Sequence, residues 1–245
     1  MTTTPPQTKG YGWSPYWAPF LAFMLLIEIG RRAPESSEFA FLVAKVVLPG
    51  LLVLLYLTRK AYPELLGLRW TLPGILGDIG IGLLGAALWV APFLLFDELR
   101  PEAGGAFDPT MRGEAGVASV LAVRFLGYAL VTPLVEELFV RSWLLRFIDV
   151  VDTRRDFRKV PMARFTWRSF LVVVGFFVFT HQPWEWGVMF VWTLLTMAWF
   201  YYRGHLAPLV LAHAVTNGAI WLFVVLCNGQ FRDGDGNPIS LYFFL

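Results

Sequence analysis

A series of apolar runs, several approaching the ~20 residues a helix needs to cross a bilayer, constrains this chain more than any other feature. By hydropathy the runs fall at residues 16–30, 39–57, 74–96, 116–135, 165–181, 186–202 and 207–227, which predicts about seven spans. The first is short and carries Glu28. The fourth has no clean end, because helix-compatible sequence continues through Glu136 and Glu137 to about Phe147. Only 16% of the 245 residues are charged, against about 25% in a typical soluble domain. Those charges cluster between the runs, as the cost of burying them in lipid demands. Backbone inside hydrocarbon must satisfy its own hydrogen bonds. The expected fold is therefore all-α, a multi-pass transmembrane helical bundle forming one integral membrane domain over residues 1–245.

Basic residues set the expected orientation. Residues 146–168 hold Arg146, Arg154, Arg155, Arg158, Lys159, Arg164 and Arg168 and are expected on the cytoplasmic side of a bacterial cell membrane. Residues 97–114 carry five acids against Arg100 and Arg112 and should face the opposite side. Arg59, Lys60 and Arg69, one span earlier, return to the cytoplasm. With seven spans the N-terminus is inside. Residues 1–11 are polar, with Lys9 their only basic residue, and lack the charged region and cleavage site of a signal peptide. The first run is therefore expected to stay as a span. The 11 Trp and 22 Phe suit interfacial anchoring. Cys227 is the only cysteine, so no disulfide framework or cysteine metal site is available. A net charge of +2 is too weak to suggest nucleic acid. The tail at 228–237, with three glycines and two aspartates, reads as a loop.

Polar groups inside spans are costly and mark function by default. Three clusters stand out. In Glu136-Glu137-Leu138-Phe139-Val140-Arg141, Glu137 and Arg141 are four apart, share a helix face and can pair. Glu136 points about 100° away with no local cation, and an unpaired carboxylate in a dry site is a competent general base. The plainer reading is a helix that has already left the membrane, with a solvated ion pair. The second cluster is Phe177-Val178-Phe179-Thr180-His181, whose plainer reading is an imidazole at the membrane interface or hydrogen-bonded in the core. In the third, His213 and Asn217 stand at i and i+4 on one face; interhelical hydrogen bonding is its structural alternative. Counted at ~1.5 Å per residue from Phe147, Arg168 and His205, Glu136 lies ~16 Å deep, His181 ~20 Å, His213 ~12 Å and Asn217 ~18 Å. All four fall near the bilayer middle, which predicts a shared polar chamber between helices.

These clusters, in this order, resemble the CAAX protease and bacteriocin-processing (ABI) family of intramembrane endopeptidases. The pattern reads Glu136-Glu137-x-x-x-Arg141, Phe177-x-x-x-His181 and His213-x-x-x-Asn217, with His205-Leu206-Ala207-Pro208 before the last motif also similar. The resemblance covers about residues 120–226, with 116–227 the expected catalytic core helices. Within the family, the chain resembles the CAAX prenyl protease-related proteins of bacterial exosortase systems. The resemblance implies hydrolysis of a peptide bond in a membrane-associated protein or peptide. By residue-wise carry-over, Glu136 activates water with help from His181, and His213 and Asn217 stabilise the oxyanion. Glu137, Arg141 and Phe177 support the site. Family members are often called metalloproteases, and Zn²⁺ on Glu136, Glu137, His181 and His213 is the metal alternative. A glutamate mechanism with no metal or other cofactor is preferred: no His-Glu-x-x-His helix is present, and Asn217 is a better amide donor than zinc ligand. The rival from another class is a non-catalytic membrane scaffold or immunity factor of the same fold. A small transporter would call for broken helices and a paired internal repeat, and the sequence shows neither. The expected partners are the lipid bilayer and a membrane-associated peptide or protein, with no nucleic acid. Nothing in the sequence identifies the substrate or shows that a prenylated one exists.

Overall fold

A computed structural model describes residues 12–101, 106–153 and 155–245. The N-terminal stretch with Lys9, together with Glu102 and Arg154 of the two orienting loops, lies outside the described residues.

Among the described residues, seven long helices stand where the apolar runs predicted them. They are α1 Ser14–Gly30, α2 Glu38–Thr58, α3 Leu72–Leu95, α4 Glu114–Ile148, α5 Trp167–Thr180, α6 Trp186–Arg203 and α7 Leu206–Cys227. No strand occurs among the described residues; one isolated bridge joins Arg232 and Pro238 in the tail. By length and composition α2, α3, α4 and α7 can each cross a membrane, while α1 and α5 are shorter apolar helices. Leu25, Ile29, Leu51, Leu76, Leu83, Phe179 and Leu226 are all exposed. Such a surface is stable only against lipid. The chain is an integral membrane protein.

The helix ends follow from local chemistry. Thr71 caps α3 by accepting from the Gly74 N–H, and Thr166 caps α5 by accepting from the Ser169 N–H. Gln182 and Glu185 form a reciprocal capping box before α6. That helix stops at Gly204, whose φ of +67° places it in the left-handed region glycine tolerates.

Helix α4 is the axis of the molecule. The sequence left its end open, and it runs unbroken over 35 residues, about 50 Å at 1.5 Å per residue. Every residue from Glu137 to Arg146 is buried, so its second half is sheathed by protein. It is a wound-out helix in two places, with π segments at Leu126–Val131 and Leu138–Leu144. Pro133 explains the first: it has no N–H to donate and its ring crowds the carbonyl one turn back, so the turn before it widens. The second begins directly after Glu137 and contains Arg141. Isolated π turns inside α-helices recur at functional sites.

Packing around this axis uses two devices. On one side, Phe20 of α1 stacks on Phe139 at 3.9 Å, and Trp17 meets Trp143 edge-on at 4.9 Å. On the other, α3 and α7 approach so closely that a Cβ on Gly82 would lie 2.5 Å from the Ala212 carbonyl oxygen. Small residues allow this contact in membranes, and Thr216 Oγ1 uses it to donate to the Gly82 carbonyl at 2.9 Å. One end of the bundle is closed by a buried group in which Glu64 meets Ser142 and Arg146, the latter at 3.4 Å, beneath the fully buried Tyr62.

Candidate active site

The four helices α4 to α7 bring the three sequence clusters to one place. Glu136, His181, His213 and Asn217 all line a single cavity of about 790 Å³. Glu136 comes from the turn of α4 between the two π segments. His181 stands at the C-terminal end of α5, and His213 and Asn217 project from one face of α7. Phe177 lines the same space.

Glu137 and Arg141 lie behind this wall and are fully buried. Their expected pairing is present: Arg141 Nη1 donates to Glu137 Oε1 at 3.1 Å. Three further contacts hold the guanidinium. Nη2 donates to Thr196 Oγ1 of α6 at 3.1 Å, and the group lies 3.8 Å over the Phe177 ring and 5.7 Å from that of Trp192. The aromatic faces partly replace the lost hydration of a cation. Phe177 is thus a cushion for the buried charge as well as a part of the cavity wall.

The same Glu137 oxygen reaches forward. It lies 2.8 Å from His213 Nδ1, so the ring donates Nδ1–H to the carboxylate and turns Nε2 into the cavity. A carboxylate behind a histidine fixes its orientation and tautomer in this way. His213 Nε2 then stands 3.9 Å from Glu136 Oε2, beyond direct hydrogen bonding. Trp192 packs edge-on against the imidazole at 4.6 Å. His181 is oriented by backbone: its Nδ1 is 2.8 Å from the Phe177 carbonyl oxygen, which leaves Nε2 as a free acceptor. The two carboxylates therefore differ as their helix faces predicted. Glu136 faces open space; Glu137 is locked between Arg141 and His213.

Asn217 Nδ2 donates to the Tyr128 carbonyl at 2.8 Å, in the first π segment, so one of its two amide hydrogens is already used. That carbonyl is freed from regular helical bonding by the widened turn, and Asn217 satisfies it.

The sequence did not single out Thr196, Trp192, Tyr128 or Thr216, all of which complete the wall or its support. Asp78 was also missed. It is fully buried on α3 and accepts from Trp199 Nε1 at 2.9 Å, Arg203 Nε at 2.9 Å and Arg203 Nη2 at 3.1 Å. A lone acid within a 24-residue apolar helix was the available signal. Its partners pin α3 to α6 outside the cavity.

Among the described residues no three His, Cys, Asp or Glu side chains are grouped to hold a metal ion, and Glu137 Oε1 is committed to Arg141 and His213.

The cavity extends toward a mouth at one end of the bundle. Glu28 and Arg31 at the end of α1, Pro101 and Phe107 between α3 and α4, Gln182 and Glu185 between α5 and α6, and Phe243 to Leu245 after α7 all line it. These lie at the end of the bundle remote from the basic 146–168 loop, while the other end is closed by the Glu64–Arg146 group.

Residues 118–219 match a family model described as Rce1-like, type II CAAX prenyl endopeptidase Rce1-like. The match spans the three clusters and covers somewhat under half of the chain. No curated protein matches the chain, and no solved structure does.

Proposed function

We propose, from the match of residues 118–219 to a family model described as Rce1-like, type II CAAX prenyl endopeptidase, that this chain is an intramembrane endopeptidase of the glutamate type. One observation carries the reading. A carboxylate with no fixed partner, a carboxylate-backed histidine and a second histidine with a free ring nitrogen face one enclosed space between membrane helices. Peptide hydrolysis needs a base beside a water and donors aimed at the developing oxyanion.

In this reading Glu136 takes a proton from the water that attacks the scissile carbonyl, and His181 Nε2 accepts a hydrogen bond that orients the same water. The oxyanion forms against His213 Nε2–H. To donate there the ring carries both N–H protons, the second taken up from solvent before the substrate enters, with Nδ1–H held by Glu137 as a buried carboxylate holds a charged histidine. The remaining Asn217 N–H is the second donor. Collapse of the tetrahedral adduct breaks the C–N bond, and Glu136 returns its proton to the leaving amine. Arg141, fixed by Thr196 and Phe177, holds Glu137 in place. The substrate is a peptide segment that reaches the cavity from the bilayer or its surface.

The Asn217–Tyr128 bond is also what a purely structural polar cluster would show, and it favours the scaffold as second reading. Comparison of membrane-protein termini in cells with the parent chain, with Glu136→Gln and without the chain separates them. New termini that require both the chain and Glu136 are expected. Termini unchanged by removal of the chain, or equally abundant with Glu136→Gln, would overturn the peptidase assignment.

A further inference from the structure

The cavity does not end at Glu136. Toward its mouth it is lined by three cations, Arg31 on α1, Lys45 on α2 and Arg124 on α4. Apart from Glu136, the acids in the lining, Glu28 and Glu185, are already engaged. Glu28 accepts from Arg32 at 2.5 Å and lies 3.9 Å from Arg31. Glu185 accepts the Gln182 backbone N–H at 2.9 Å. Lys45 and Arg124 are different: neither forms an ion pair with a carboxylate among the described residues. Glu38, on the same helix as Lys45, is two turns away and exposed. The Arg124 Nε is sealed from solvent and has no hydrogen-bond partner. Its guanidinium lies 5.2 Å from the Phe107 ring and 5.3 Å from the Tyr128 ring, contacts that steady a cation without neutralising it.

Two cations held part-way along apolar helices are expensive unless something anionic meets them. Their placement relative to the reactive residues is regular. Arg124, Tyr128, Thr132 and Glu136 recur every four residues along α4 and all line the cavity, so the cation and the base share one helix face. They are separated by about 18 Å along the axis. An extended peptide at ~3.3 Å per residue covers that distance in about five residues.

Resting on the endopeptidase reading, we infer that Lys45 and Arg124 form an anion-binding subsite that takes a carboxylate of the peptide substrate, about five residues along the chain from the bond Glu136 attacks. A guanidinium offers a carboxylate paired donors in a fixed plane, and the ammonium adds a mobile point charge.

The test is a binding measurement on the full chain in nanodiscs of neutral phosphatidylcholine. The probe is a short dansylated Leu-Ala-repeat peptide, made with a free C-terminal carboxylate, as the C-terminal amide, and as the amide with one internal Asp. The carboxylate forms are expected to bind about tenfold or more tighter than the plain amide, the worth of a charge-assisted hydrogen bond in a dry site. A preference confined to the free terminus assigns the carboxylate to the peptide end; one shared by the Asp peptide assigns it to either source. In Arg124→Gln with Lys45→Gln the preference should vanish while amide binding persists. In Arg124→Lys, which keeps the charge, it should survive. Equal binding of acid and amide by the parent chain overturns the subsite without recourse to any variant. So does a preference that outlives the double substitution. Loss of the preference when phosphatidylglycerol is added shows that the cations hold a lipid phosphate, and also overturns it. Glu136→Gln should retain the preference. An acid preference with no cleavage of any protein would count against the peptidase reading and leave the subsite standing.

Discussion

Replacing Glu137 by Ala is the sharpest probe of how this site is held. The carboxylate has no solvent exposure and one oxygen that serves two partners, Arg141 at 3.1 Å and His213 at 2.8 Å. Its removal leaves Arg141, also without exposure, with Thr196 as its side-chain acceptor and two aromatic faces. Breaking a buried pair by deleting one member costs about 3–5 kcal/mol, chiefly because the surviving charge is stranded. At about 2–4 °C per kcal/mol for a chain of this size, the melting temperature in detergent should fall by on the order of 10 °C. Glu137→Gln keeps an acceptor oxygen for both partners and should lose less, about 1–3 kcal/mol, the cost of weakening a hydrogen bond to a charged group. Glu136→Gln is the control. Its side chain is 17% exposed, with His213 no closer than 3.9 Å, so it should melt with the parent yet cleave nothing. Melting curves and terminal proteomics on the three variants and the parent decide the matter. If Glu137→Ala melts within about 2 °C of the parent, Arg141 does not depend on this carboxylate and the support role is wrong. Normal turnover by Glu136→Gln would remove the general base.

Three further outcomes are expected. Gly82→Ala places a methyl 2.5 Å from the Ala212 carbonyl oxygen; overpacking of this kind costs about 1–3 kcal/mol, and a shifted α7 should lower cleavage with His213 and Asn217 intact, whereas parental melting and activity would show that the helices have slack. In a Cys227→Ser background, an impermeant thiol reagent applied to intact cells should label Asp108→Cys and spare Asp156→Cys; labelling at 156 would invert the orientation read from the basic loop. Chelation should leave cleavage by the purified protein unchanged, and activity that follows added Zn²⁺ would replace the glutamate mechanism with a metal one while the peptidase assignment stood.

The sequence by itself determined the elements. Apolar length and the price of charge in lipid placed six of the helices to within about two residues and left the end of α4 open, and helical spacing paired Glu137 with Arg141 and left Glu136 free, because both rest on local geometry that every helix shares. It also brought the three motifs together, since polar residues at similar depth in a bilayer have few places to go except one another. What it could not give was anything set by rotation or approach of one helix against another. Only the folded chain shows Glu137 turning to His213, Thr196 reaching Arg141, and Asn217 spending an N–H on the carbonyl that a π turn exposes at Tyr128. The π turns themselves arise where Pro133 and the packing of α4 override regular winding, and Lys45 and Arg124, on helices distant in sequence, became neighbours of one cavity only when α2 closed against α4. Depth is written along a helix and can be counted; azimuth depends on how side chains from several helices interlock, and that is decided only when they pack.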